Sequence, residues 1–156
     1  AAFAQSCKTK LNHVKPHGAL YNMAAKDKAL ALALAKAVYD VDHELVFVGL
    51  SGSVMIEEAK LVGLRTASEV FADRTYQDDG TLTPRTSPDA MISTPARAAQ
   101  QVLQMVQRKT VTSLSGKDIP VVAETICIHG DGEHAVVFAK TIVDLLKENN
   151  VNIKKP

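Results

Sequence analysis

With 156 residues, 46% of them apolar and 22% charged, the chain has the make-up of one globular domain long enough to bury a core. Eighteen Lys and Arg against 17 Asp and Glu leave a formal charge of +1, which gives no electrostatic case for nucleic acid or an anionic membrane as partner. No apolar run reaches the length of a membrane span and the start lacks a basic-then-apolar secretory pattern, so a cytoplasmic protein is expected.

In chain order, Ala1 to Cys7 reads like the tail of a helix, as though a longer protein preceded it. An extended run from Leu11 to Lys15 then meets Pro16-His17-Gly18. Pro16 fixes its own φ and keeps Lys15 out of α geometry, so the chain must turn before the next helix. That turn gathers a cation, an imidazole and a glycine at one strand end. The segment Ala24 to Val38 predicts an amphipathic helix, with Leu30, Leu34 and Val38 on its buried stripe and Ala33 and Ala37 beside it. Asp40 to Glu44 closes it. The unalternated run Leu45 to Leu50 suits a strand covered on both faces, as in parallel sheets. Ser51-Gly52-Ser53 supplies a turn and a cap for a helix through about Leu61, and its glycine and hydroxyls form a candidate anion cradle. No Walker-type phosphate loop occurs.

A third strand, Thr66 to Ala72, ends on Asp73-Arg74. The excursion from there to Thr94 has no helical period, and Asp79-Gly80 between Tyr76 and Leu82 predicts a tight hairpin. Long ordered loops of this kind serve as lids or binding loops, and Arg74 and Arg85 are suited to grip a carboxylate or phosphate. Thr94-Pro95 starts a helix whose buried stripe is Ala99, Val102, Leu103 and Val106. Thr110 to Asp118 predicts a hairpin around Gly116, and Thr125 to Ile128 a strand ending on His129-Gly130-Asp131-Gly132. Cys127 lies within that strand, where a buried, inert thiol is expected. Cys7 and Cys127 lack the spacing of a zinc knuckle or disulfide framework, and both are expected to be reduced. A last helix is expected to bury Val136, Ala139, Val143 and Leu146, and Val151 to Ile153 to begin one more strand.

Strands alternating with helices imply a parallel α/β fold, whose reactive groups gather at the carboxyl ends of the strands. Three such ends carry ionisable pairs: Lys15 with His17, Asp73 with Arg74, and His129 with Asp131. Each has a plain structural alternative. Asp131 serves as well to cap the next helix, and Asp73 with Arg74 as a surface ion pair. Together they suit hydrolysis of an amide-like bond, with imidazole or carboxylate moving protons and Lys15 or Arg74 steadying charge on oxygen. His17, His129 and Asp131 also have the chemistry of zinc or manganese ligands, so metal binding stays open.

The blocks HVKPHGALYN, EVFADRTYQDDGTLTPR and TICIHGD resemble the signatures of the LamB/YcsF lactam-utilisation family, over essentially the whole chain. The resemblance implies parallel βα units forming part of an incomplete (β/α) barrel of the glycoside hydrolase/deacetylase type. It also implies ATP-dependent opening of 5-oxoproline to glutamate, with ATP and Mg, performed together with separate subunits B and C. Carried over are Lys15, His17 and Gly18 from the first block, Asp73, Arg74 and Arg85 from the second, and His129, Gly130 and Asp131 from the third. Lys15, His17, Asp73, His129 and Asp131 are then the candidate catalytic groups, and Gly18, Arg74, Arg85 and Gly130 the candidate substrate or phosphate contacts. The family's Asp-Leu-Asn-Cys-Asp and Gly-Phe-His-Ala-Gly-Asp elements do not occur here, so residues 1–156 are expected to be a single domain that is the C-terminal part of a longer one. Two further readings stand beside the first. One is a stand-alone metal-dependent deacetylase-like hydrolase. The other is an inactive fragment whose unpaired sheet edge promotes self-association.

Overall fold

A computed structural model describes residues 2–130 and 135–154, and the chain divides into two compact units, Ala1–Ser68 and Glu69–Pro156. The first unit holds α1 (Ala2–Ser6), β1 (His13–Val14), α2 (Gly18–Ala24), α3 (Lys28–Val41), β2 (Val46–Leu50) and α4 (Val54–Val62). β3 (Arg65–Phe71) begins in it and ends in the second unit. There follow α5 (Pro95–Arg108), β4 (Thr110–Thr112), β5 (Asp118–Pro120), β6 (Thr125–Cys127) and α6 (Ala135–Glu148). This is the α/β class with parallel βα units that the alternation predicts.

In the first unit β1 pairs with β2 in parallel, His13 opposite Val46 and Val14 opposite Phe47. β1 is shorter than the expected Leu11–Lys15, and at its C-terminal end Pro16 supplies no N–H and turns the chain away from the ladder. All five residues of β2 are buried, as its unbroken apolar run requires. α3 starts later than expected: α2 ends at Ala24, and the Asp27 carboxylate then caps the new helix by accepting from Leu30 N at 3.0 Å. Its fully buried line is Ala31 and Ala35, with Leu30, Leu34 and Val38 half-buried at the flanks. α3 packs on α4. Lys28 Nζ lies 3.3 Å from Glu58 Oε1 and so neutralises a carboxylate that α4 carries into the interior. The Ser51-Gly52-Ser53 turn precedes α4 as expected, but the Ser53 hydroxyl donates back to Leu50 O at 2.7 Å and both serines are buried. The Ser53 hydroxyl therefore serves the turn.

In the second unit β3 pairs with β6 in parallel, and β4 forms an antiparallel hairpin with β5. The core unites Ala72, Ile92, Ala98, Ala99, Val102, Phe138, Ile142 and Leu146. α6 buries Leu146 as expected, but together with Phe138 and Ile142, so the buried face is rotated from the expected stripe. Val136 is 68% exposed, and Ala139 and Val143 flank the contact. The largest side chain, Phe138, sets the phase. Residues 151–154 form no strand: Asn150 takes a left-handed φ of 59°, and Val151 N closes the helix end on Leu146 O.

Candidate active site

Parallel register decides what meets at the end of the β3–β6 pair. Phe71 lies opposite Cys127, so residues two places further along each strand leave the sheet side by side. Those residues are Asp73 and His129. His129 Nδ1 stands 3.0 Å from Asp73 Oδ1 and 2.9 Å from Oδ2, and the His129 backbone N donates to Oδ2 at 3.0 Å. A carboxylate facing Nδ1 selects the tautomer with hydrogen there, which leaves Nε2 as an acceptor. The Asp73 side chain is 8% exposed and that of His129 22%, so the carboxylate is enclosed while the ring keeps an accessible edge. Phe71 stacks on the ring, centroids 5.7 Å apart.

The bend that carries Asp73 is held from α5. The Gln101 amide nitrogen lies 3.0 Å from Phe71 O, 3.3 Å from Ala72 O and 2.9 Å from Arg74 O. Three acceptors around one atom fix which end of the amide is nitrogen. Asp73 O accepts from Ile92 N at 2.9 Å, and the buried Tyr76 hydroxyl accepts from Phe71 N at 2.8 Å. Burial, with the Glu69 carboxylate nearby, pushes the Tyr76 phenol well above its ordinary range, so it stays protonated.

Arg74 does not form the surface ion pair that sequence adjacency to Asp73 allows. Its side chain is buried, and its guanidinium donates to Ala90 O at 3.2 Å and to Thr83 O. Burial and the positive charge of Arg85 lower its pKa, against an opposing pull from Asp73. Arg74 thus clamps the two arms of the excursion, and Arg85 stays exposed. The excursion is a hairpin as expected, with Tyr76 bridged to Leu82 and Gln77 N donating to Thr81 O at 2.8 Å. Its tip is fastened to the β4–β5 hairpin. Asp78 Oδ1 accepts from Ser113 Oγ at 2.7 Å and Ser115 Oγ at 2.6 Å, and Lys117 Nζ lies 3.0 Å from Oδ2. These hydroxyls and the ammonium pull the Asp78 pKa down to about 2.

The remaining sequence candidates are placed as follows. His17 is exposed at the N-cap of α2, its ring making no cap bond, and Lys15 before it is half-buried. Gly18 takes φ +59°, which explains a glycine there, and no atom lies within 4 Å of where a Cβ would stand. Gly130 is exposed, and Asp131 lies outside the described residues. Cys127 is half-buried rather than enclosed, and both cysteines are free thiols. Among the described residues no group of three or more His, Cys, Asp or Glu side chains converges as a metal site. No helix among them is long and apolar enough to cross a membrane. Sequence reading missed Gln101, for which no local pattern exists, and Tyr76 as a buried support.

The sequence profile of the LamB/YcsF family matches residues 1–156. The chain belongs to that family. This LamB/YcsF chain is 54% identical over 156 residues to the A subunit of 5-oxoprolinase from Geobacillus kaustophilus, matching all of itself and 61% of that protein. It is 55% identical over 154 residues to the A subunit of 5-oxoprolinase from Tolumonas auensis, 99% of itself and 61% of that protein. The crystal structure of the lactam utilization protein from Thermus thermophilus superposes with a TM-score of 0.88 at 39% identity, covering 98% of this chain and 61% of that one. The chain therefore spans about three fifths of the length of the relatives it matches.

Proposed function

We propose that this chain is part of the A subunit of an ATP-dependent 5-oxoprolinase, which hydrolyses the lactam 5-oxo-L-proline to L-glutamate in the cytoplasm together with subunits B and C. The reading is supported by family membership, by relatives that bear the name of the 5-oxoprolinase A subunit, and above all by the Asp73–His129 pair at two adjacent strand ends. With Nδ1 held by Asp73, His129 presents Nε2 as a proton acceptor. It activates water for attack on the lactam carbonyl or carries the proton to the departing nitrogen. Asp73 acts through the ring, fixing its tautomer and balancing the imidazolium that forms. Arg85, the exposed guanidinium of the excursion, binds the substrate carboxylate or a phosphate.

ATP is a co-substrate in this proposal. Amide resonance makes a five-membered lactam a poor electrophile; phosphorylation of the amide oxygen, with release of ADP, removes that resonance, so that water adds to the carbon, the protonated ring nitrogen departs, and hydrolysis of the resulting acyl phosphate by a second water releases phosphate and glutamate. The described residues include no phosphate loop, and in the Ser51–Ser53 turn both serines are buried and the Ser53 hydroxyl donates to Leu50 O, so no nucleotide contact is drawn on that turn. Lys15, His17 and Asp131 remain candidate catalytic groups, and Gly18 and Gly130 candidate substrate or phosphate contacts.

The test is 5-oxoproline-dependent ATP hydrolysis by the complete enzyme, with the full-length chain joined to its partners. His129→Ala, His17→Ala and Asp131→Ala should each reduce it by roughly 10²-fold or more. Near wild-type turnover removes that residue from the site. Hydrolysis that needs stoichiometric zinc or manganese and no ATP would replace this proposal with a stand-alone metal hydrolase.

A further inference from the structure

We propose that Gln101 is a positioning residue for the Asp73–His129 pair, an inference that rests on reading this pair as reactive. Asp73 sits in a bend, after the last paired residue of β3 and before the excursion begins. Main-chain bonds hold it at Ala72 N, which donates to Cys127 O at 3.0 Å, and at Asp73 O, which accepts from Ile92 N at 2.9 Å. Its carbonyls at Phe71, Ala72 and Arg74 converge on the single amide nitrogen of Gln101, at 3.0, 3.3 and 2.9 Å. These carbonyls flank Asp73 on both sides, so the amide fixes the path of the main chain through the Asp73 Cα. The far end of the same residue is fixed from just beyond β6, where His129 N and Nδ1 both contact the carboxylate.

Gln101 is carried on α5, whose Ala98, Ala99, Val102 and Met105 are buried on either side of it, so the donor is mounted on a packed element. An amide nitrogen has two hydrogens, so the three acceptors share them. Without that donor the carbonyls turn outward to find other partners, and the carboxylate moves with them. A displacement of about 1 Å at a reacting group is enough to cost on the order of 10²-fold in rate. Gln101 touches no reacting atom; its effect runs through Asp73 to the orientation of His129.

The experiment compares Gln101→Met, which keeps the length and removes the donor, with Gln101→Lys, which restores a donor, and with Asp73→Asn. All are made in the full-length chain and measured in the complete enzyme with its partners. Gln101→Met should lower kcat for 5-oxoproline by about 10- to 100-fold with KM within about twofold, and Gln101→Lys should recover most of the loss. In spectra of nitrogen-labelled histidine, the hydrogen-bonded Nδ1 proton of His129 should shift or broaden in Gln101→Met and return in Gln101→Lys. If Gln101→Met does not fold, Gln101→Asn, which withdraws the amide by one methylene, carries the same expectations. Full kcat and an unmoved Nδ1 proton in the donor-deficient variant, with Asp73→Asn inactive, overturn the role of Gln101 alone. Full activity in Asp73→Asn overturns the pair itself.

Discussion

The carboxylate of Asp73 holds His129 twice, accepting from its backbone N at 3.0 Å and facing its ring Nδ1 at 2.9 Å. The first contact ties the strand end, and the second orients the imidazole. Both follow from the equal offset of the two residues past the Phe71–Cys127 pairing. A shift of register by one residue would move one of them to the other face of the sheet and break the pair.

The two arginines of the excursion should separate in experiment. Arg74→Met leaves the carbonyls of Ala90 and Thr83 without their charged donor. Hydrogen bonds to charged groups contribute about 1.5–3 kcal/mol each, so the melting temperature should fall by several degrees or more. Arg85→Lys should leave the melting temperature within about 2 °C and raise KM for 5-oxoproline or ATP severalfold, because an ammonium lacks the planar fork. A KM unchanged by Arg85→Lys removes Arg85 from substrate binding.

The Asp78 network gives a pH signature. Its carboxyl titrates at about 2 in the folded chain against an ordinary 3.8, so between these values the unfolded state binds more protons. The stabilisation is therefore complete above about pH 5 and disappears as pH falls toward 2. Melting temperatures of the parent chain and Asp78→Asn should differ at about pH 6 and converge near about pH 2. The gap should also narrow in high salt, since the group is exposed. A gap that persists unchanged at the acid end would mean that Asp78 contributes through something other than its charge.

Phase in α6 is open to a direct check. Phe138→Ala should cost about 3–5 kcal/mol, whereas Val136→Ala should stay within about 0.5 kcal/mol. Equal costs, measured by urea denaturation, would return the helix to the face that its valines suggest.

What the sequence made legible was local. The unbroken Leu45–Leu50 run, Asp79-Gly80, Thr94-Pro95 and Gly116 each act over a few residues, and the structure has a strand, two hairpins and a helix where they stand. Apolar periodicity was less decisive where several phases fitted. In α3 the alanines and not the leucines lie at the centre, and in α6 the bulk of Phe138 overrides the valine stripe. Sequence reading put Asp73 beside Arg74, but Asp73 meets His129, 56 residues away, and Arg74 meets the far arm of its own loop. Gln101 acts over about thirty residues through its amide alone. Such long-range polar contacts leave no period in a single chain.

The central claim is that Asp73 and His129 act as one unit, and a double-mutant cycle on the complete enzyme tests it most directly. Asp73→Asn and His129→Ala should each reduce kcat for 5-oxoproline-dependent ATP hydrolysis by roughly 10²- to 10⁴-fold. The double variant should be no worse than His129→Ala, because residues that work as a unit are not additive. Multiplicative losses, or near wild-type turnover in either single variant, would contradict the account.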